Sequence, residues 1–471
     1  MPTASNDEIR ILTPSGMLGY GFPVDHFKMG LALKPHAITI DSGSTDSGPQ
    51  KLGKGEMTCS REAYVKDIEV LLEAQHETRI PVLISSAGGD GTNLHVDVFR
   101  EIISGIAKRR GWHFKLASIY ADIDKAHISR ELKAGRIEPL GPVPPLEQRE
   151  VDAATVVVAQ MGAEPFAKAL DESEGVDVVV SGRSYDPSPT AAMAIRAGFD
   201  PALAWHMGKI MECGALCAEP VGRNVMGYLR RDHFEIEPLN PAERCKTASV
   251  AAHTLYEKTH PFLLAGPGGT LDLSNCKYEQ VTDRRVRVSG SRFEPSRHYT
   301  VKLEGAKTSG WRSIFIAGAR DPIFISQIDE ILDKVMAGTR AYFAEVPEES
   351  YRIIPHIYGK NGVMGELEPV KTPAHELCII LEVAAATQSL ATAICGKART
   401  SLMHSPYPGR IATAGNLASP FTPLEIPLGQ ACEFNVYHLM KVDSPTALFP
   451  IRYEDICPWP PNRPRCATSP R

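Results

Sequence analysis

The stretch Arg79–Phe99, RIPVLISSAGGDGTNLHVDVF, constrains this chain more than any other. It reads as a buried parallel strand over Pro81–Ser86, a turn carrying Gly88, Gly89 and Gly91, and the start of a helix. That order gathers backbone N–H groups and the positive end of a helix dipole at one point, where an anion fits. Asp90 and Asn93 stand on the same rim. Glycine is also what the steric demands of a tight turn select, so the turn gains functional weight from its neighbours.

Those neighbours repeat the pattern. Strand signals over Ile9–Leu12, Ala37–Asp41, Val82–Ser86, Lys115–Tyr120, Thr155–Ala159 and Val176–Ser181 alternate with helix signals over 61–76, 94–110, 124–134, 163–172 and 187–197. Ser60 with Glu62 two residues on, and Pro187 directly after Asp186, mark helix starts. The expected fold is α/β: a mostly parallel sheet with flanking helices over 8–245. After residue 245 the alternation gives way to half-buried strands and an amphipathic helix over Ile325–Thr339, so a C-terminal α+β domain is expected over 246–456. A polar loop near 404–416 has the make-up of a lid, and the proline- and arginine-rich 457–471 reads as a disordered tail.

Composition narrows the function. A net charge of −5, with no basic stripe interleaved with aromatics, argues against nucleic acid as a partner. No apolar run approaches the roughly 18 residues needed to span a bilayer, so no membrane partner is expected. The ten scattered cysteines and a polar N-terminus fit reduced thiols and a cytoplasmic setting. Cys213 and Cys217 share helical spacing, but no second pair at zinc-finger spacing accompanies them.

In a parallel sheet the strand carboxyl ends share one edge, where α/β proteins bind ligands. The turns expected there are Thr13–Gly21, Asp41–Gly48, Gly88–Asn93, Asp122–Asp124 and Ser181–Asp186. Their carboxylates suit a hard divalent ion or a general acid/base pair. Asp46, Asp90, Asp186 and Arg183 are the catalytic candidates, with Arg183 as a carboxylate clamp. Gly88, Gly89, Asn93, Ser181, Arg410 and Asn416 are the substrate-binding candidates, and Asp46, Asp122 and Asp124 the metal ligands. Glu212, in WHMGKIMECGALC with His206 and Cys213, reads either as a base or as a helix residue ahead of a C-cap at Gly214. Two more glycine turns, at 265–270 and 404–416, read as anion wraps or as plain connections.

Several segments together resemble the acyclic terpene utilisation (AtuA-type) family over roughly residues 8–440. They are Ser15-Gly16 to Gly21, Ala87-Gly88-Gly89, Ser181-Gly182-Arg183 with Asp186-Pro187, Met211-Glu212-Cys213-Gly214-Ala215, Tyr407–Arg410 and Ala414–Asn416. The resemblance implies a cytosolic protein of branched or isoprenoid acid catabolism, with acyl-CoA thioesters as substrates. The converging strand-end turns, read alongside it, support a lyase or hydratase acting on a small or branched carboxylic acid or its CoA thioester. A metal-dependent hydrolase, or a non-catalytic ligand-binding subunit of a larger complex, is the alternative. Chains of this class also form symmetric homo-oligomers.

Overall fold

The computed structural model describes residues 7–43, 48–172 and 175–457. Two compact units emerge: 1–307 with 434–471, and 308–433. The first is built on a ten-stranded sheet. At its centre run five parallel strands in the order Glu8–Thr13, Ala37–Asp41, Val82–Ser85, Val178–Ser181 and Phe114–Ile119. Ala37–Asp41, Val82–Ser85 and Val178–Ser181 are buried at every residue, as strands covered on both faces must be.

Alternation along these strands divides the apolar core between the two faces. Val82 and Ile84 point into one cluster with the helices Arg61–Thr78 and Asn93–Arg110. Leu83 and Val179 point into the other, with the helices Glu164–Leu170, Ser188–Arg196 and Pro201–Met211. The Ser60 hydroxyl accepts the N–H of Ala63 at 3.3 Å, the N-cap expected from its sequence.

The sheet as a whole is not mostly parallel. Val225–Arg230, His233–Pro238, Val286–Ser289 and Lys277–Gln280 extend it antiparallel from Glu8–Thr13, and Ile451–Ile456 closes the other edge antiparallel to Phe114–Ile119. The hairpin Val225–Pro238 needs no crossover helix, so its strands add to the edge in the opposite sense. Val156–Gln160 also leaves the expected sheet and pairs antiparallel with Lys302–Ala306. An apolar run such as Val-Val-Val-Ala suits any buried strand and does not specify a partner.

The boundary read at residue 245 falls inside the first unit, after the antiparallel strands Val225–Arg230 and His233–Pro238 have already joined the sheet. In the second unit, the strand segment Trp311–Ala319 pairs with Leu377–Ala385, which pairs with Tyr351–Tyr358. The helices Ile328–Tyr342 and Gln388–Met403 supply Ile331, Val335, Ile394 and Ala398 to a core with Phe315, Ile379 and Leu381. Among the described residues no helix is long and apolar enough to cross a membrane. Residues 458–471, most of the expected tail, lie outside the described residues.

Two consequences are measurable. Gly91 has φ +66°, and a Cβ there would overlap the backbone of Arg183. Gly91→Ala is expected to cost about 2–4 kcal/mol, read as a lower denaturation midpoint with an unchanged m-value. His206 is fully buried between the hydroxyls of Ser291 (2.8 Å) and Thr254 (3.2 Å). Burial lowers its pKa from 6.5 to about 3. The unfolded chain therefore binds a proton that the folded chain refuses between those values, and stability falls as pH drops below about 6.5. His206→Gln is expected to flatten that acid slope by up to roughly 1.4 kcal/mol per pH unit, measured as Tm against pH.

Candidate active site

At the carboxyl edge of the parallel strands, the turn after Glu8–Thr13 folds down beside the end of Ala37–Asp41. Asp67 accepts the N–H groups of Gly19 (2.8 Å) and Gly21 (3.0 Å), which leaves Tyr20 between them exposed at the rim. The Leu18 N–H donates to the Asp41 carbonyl at 2.8 Å, and Asn224 Nδ2 donates to the Pro14 carbonyl at 2.9 Å. A Cβ on Gly16 would come within 2.7 Å of the Cys213 backbone, and Gly214 sits at φ +63° against Arg223 and Gly16. The Glu212-Cys213-Gly214 turn thus packs backbone to backbone on the first glycine turn, a contact only glycine permits.

Between these walls lies a cleft of about 180 Å³, lined by Asp41, Asp186, Glu212 and Glu257 together with Gly16, Tyr20, Cys213, Arg223 and Tyr256. Asp41 Oδ1 accepts the Ser85 hydroxyl at 2.6 Å and Oδ2 accepts the Gly43 N–H at 2.8 Å. Burial, reinforced by Asp186, holds its carboxyl well above the usual carboxylate range. Glu212 Oε1 accepts from the Lys209 ammonium, while Oε2 is buried without a partner. Burial pushes Glu212 up to about 8, against the pull of Lys209. Behind them, Lys258 donates to the Tyr185 hydroxyl at 2.8 Å, and burial lowers its pKa to about 8. Burial also raises the Cys213 thiol, so this cysteine is not poised as a thiolate.

Of the residues expected from sequence, Asp186 lines this cleft. Arg183 stands behind it, 5% exposed, with its donors already engaged. Nε donates to Glu304 Oε2 (2.8 Å) and Nη2 to Glu304 Oε1 (3.4 Å), while Nη1 reaches Ser86, the Ser184 carbonyl and Asp186 Oδ1 (3.2 Å). Asp90 Oδ1 accepts from the Thr92 N–H (3.0 Å) and pairs with His95 Nδ1 at 2.6 Å inside the protein.

The glycine run is filled from within. A Cβ on Gly88 would meet the His95 ring at 2.5 Å, and one on Gly89 would overlap Thr58. The N–H groups of Gly89 and Gly91 donate to the carbonyls of Ser86 and Ala87. Asp122 Oδ1 occupies the helix N-terminus by accepting the Asn93 N–H at 2.8 Å, so the protein supplies its own anion there. Asn93 Oδ1 in turn accepts the N–H groups of Ala121 and Asp122. Asp124 caps the helix Lys125–Lys133, and the Ser181 hydroxyl donates to the Gly182 carbonyl at 3.0 Å.

Arg410 and Asn416 belong to the second unit. Arg410 donates to the carbonyls of His404 and Ser405, both at 2.9 Å, and Asn416 bonds to Asp321 and Tyr407, which brace the loop. Asp46 lies outside the described residues. Glu257, Tyr256 and Arg223 escaped the sequence reading because they sit in connections with no motif; folding alone brings them to the cleft.

A family model described as acyclic terpene utilisation family protein AtuA matches residues 46–230 and 237–425. Neither curated proteins nor solved structures give a match. The matched segments include Ser181–Pro187 and Met211–Ala215, which bring Asp186 and Glu212 to the cleft. With most of its length matched, the chain belongs to the acyclic terpene utilisation (AtuA) family.

Proposed function

We propose that this protein is an enzyme of terpene utilisation, a lyase of the hydratase type that acts on a branched carboxylic acid as its CoA thioester. The observation that carries the reading is the gathering of Asp41, Asp186, Glu212 and Glu257 in one cleft, with Asp41 and Glu212 buried. Asp41, held protonated by burial, delivers a proton to the carbon next to the thioester carbonyl. The hydroxyl of water adds to the neighbouring carbon, and the proton that water gives up returns to Asp41.

The rim supports the branched acyl group. Tyr20, Leu216 and Tyr256 are 54%, 43% and 39% exposed and line the cleft mouth. Arg223 is exposed beside them and takes the anion-binding role first read for Arg183. An acidic floor repels a free carboxylate, and a thioester removes that charge. Hydrolysis is the runner-up; it would release the free acid and the CoA thiol, whereas hydration adds water with the thioester intact. A cytoplasmic setting and homo-oligomeric assembly belong to the same proposal.

Asp41→Asn is expected to lower kcat by about 10²–10⁴-fold toward an unsaturated branched acyl-CoA, while Tm stays near wild type. Product mass separates hydration from hydrolysis in the same assay. Binding without turnover by the wild-type chain would instead mark a ligand-binding subunit. Because Asp41 acts in its protonated form, wild-type kcat falls as pH rises through its elevated pKa. The Asp41→Asn profile lacks that alkaline fall.

A further inference from the structure

The cleft gathers four carboxyl groups, Asp41, Asp186, Glu212 and Glu257. Arg183 spans Glu304 and Asp186, and Glu304 also binds Lys302 at 2.5 Å. Lys209 donates to Glu212 Oε1, and Lys258 donates to the Tyr185 hydroxyl. Carboxylate oxygens of Asp186, Glu212 and Glu257 all lie within 4.8 Å of one another. Proximity of acids alone does not define a site. Glu212, however, is 8% exposed, and its Oε2 is buried without a hydrogen-bond partner. A buried carboxylate oxygen left bare is costly unless something positive completes it.

We propose that Asp186, Glu212 and Glu257 hold one divalent cation of the oxygen-binding class, Mg²⁺ or Mn²⁺. Three carboxylates from three separate segments, with no sulfur or imidazole among them, are the donor set of a hard ion. Lys209 keeps Oε1 of Glu212, and the cation takes Oε2. Glu257 is exposed, so the ion can enter from solvent. This inference deepens the acid–base reading and rests on the same cleft. The cation offsets the charge of the floor and gives a thioester carbonyl a positive group to approach beside Asp41.

The test is Mn²⁺ binding to the full chain after EDTA treatment and desalting, followed by calorimetry and by loss of the six-line spectrum of free Mn²⁺. One bound ion per chain is expected, displaced by Mg²⁺. Glu257→Gln, at an exposed position that tolerates substitution, should raise Kd at least tenfold, and Asp186→Asn should do the same. Glu62→Gln, at an exposed position in the first turn of the helix Arg61–Thr78, should leave Kd unchanged. Absence of Mn²⁺ binding, or equal affinity in Glu257→Gln and Glu62→Gln, overturns the site. Turnover that persists in EDTA without bound ion overturns the cation and leaves the acid–base reading standing. Mn²⁺ binding without turnover of any acyl-CoA does the reverse.

Discussion

The buried guanidinium of Arg183 ties three strand ends together. It reaches Glu304 on the strand that begins at Thr300, Ser86 after the Val82–Ser85 strand, and Asp186 in its own turn. A charge so enclosed is tolerated only when its donors are met, and here they are. Glu304 is held near pKa 2, with the pull of Arg183 and then Lys302 outweighing its burial. The pairing fixes Asp186 in the cleft wall. In the proposed enzyme Arg183 is therefore a positioning residue that acts through Asp186.

The same economy of charge sets the chemistry of the cleft. Burial raises both Asp41 and Glu212, while Lys209 engages only Oε1 of Glu212. Acid–base work at neutral pH needs a carboxyl kept protonated by its surroundings, which burial supplies at Asp41. The apolar rim then excludes water on the side where a branched acyl chain would lie. Geometry and electrostatics point to one face of one sheet, beside the turns where parallel strands end.

Local elements were legible in the sequence because their signals are local. Ser60 caps its helix, and the strands at Ala37–Asp41 and Val82–Ser85 fall where their apolar runs place them. Partnership was not legible. Nothing in Thr155–Ala159 says that it pairs with Lys302–Ala306, and the change of character at residue 245 falls within one unit, after the chain has already turned antiparallel. The same limit governs the site. Asp186 and Glu212 stand in recognisable segments, whereas Glu257 and Arg223 reach the cleft through folding. Asp90 and the glycine run carry the look of an anion site because a helix start needs those residues in any case. His95, Thr58 and Asp122 already fill the space and the donors.

The placement of the second unit between residues 307 and 434 bears on how the chain is made. Ile451–Ile456 forms the edge strand beside Phe114–Ile119, so the main sheet is finished by chain synthesised after the entire inserted unit. Until those residues leave the ribosome, Phe114–Ile119 presents an open edge, the kind of surface that invites wrong pairing. The inserted unit, with its own core, is complete before that edge is closed. Synthesis order therefore makes the central sheet, and the cleft it supports, among the last parts of the molecule to be secured.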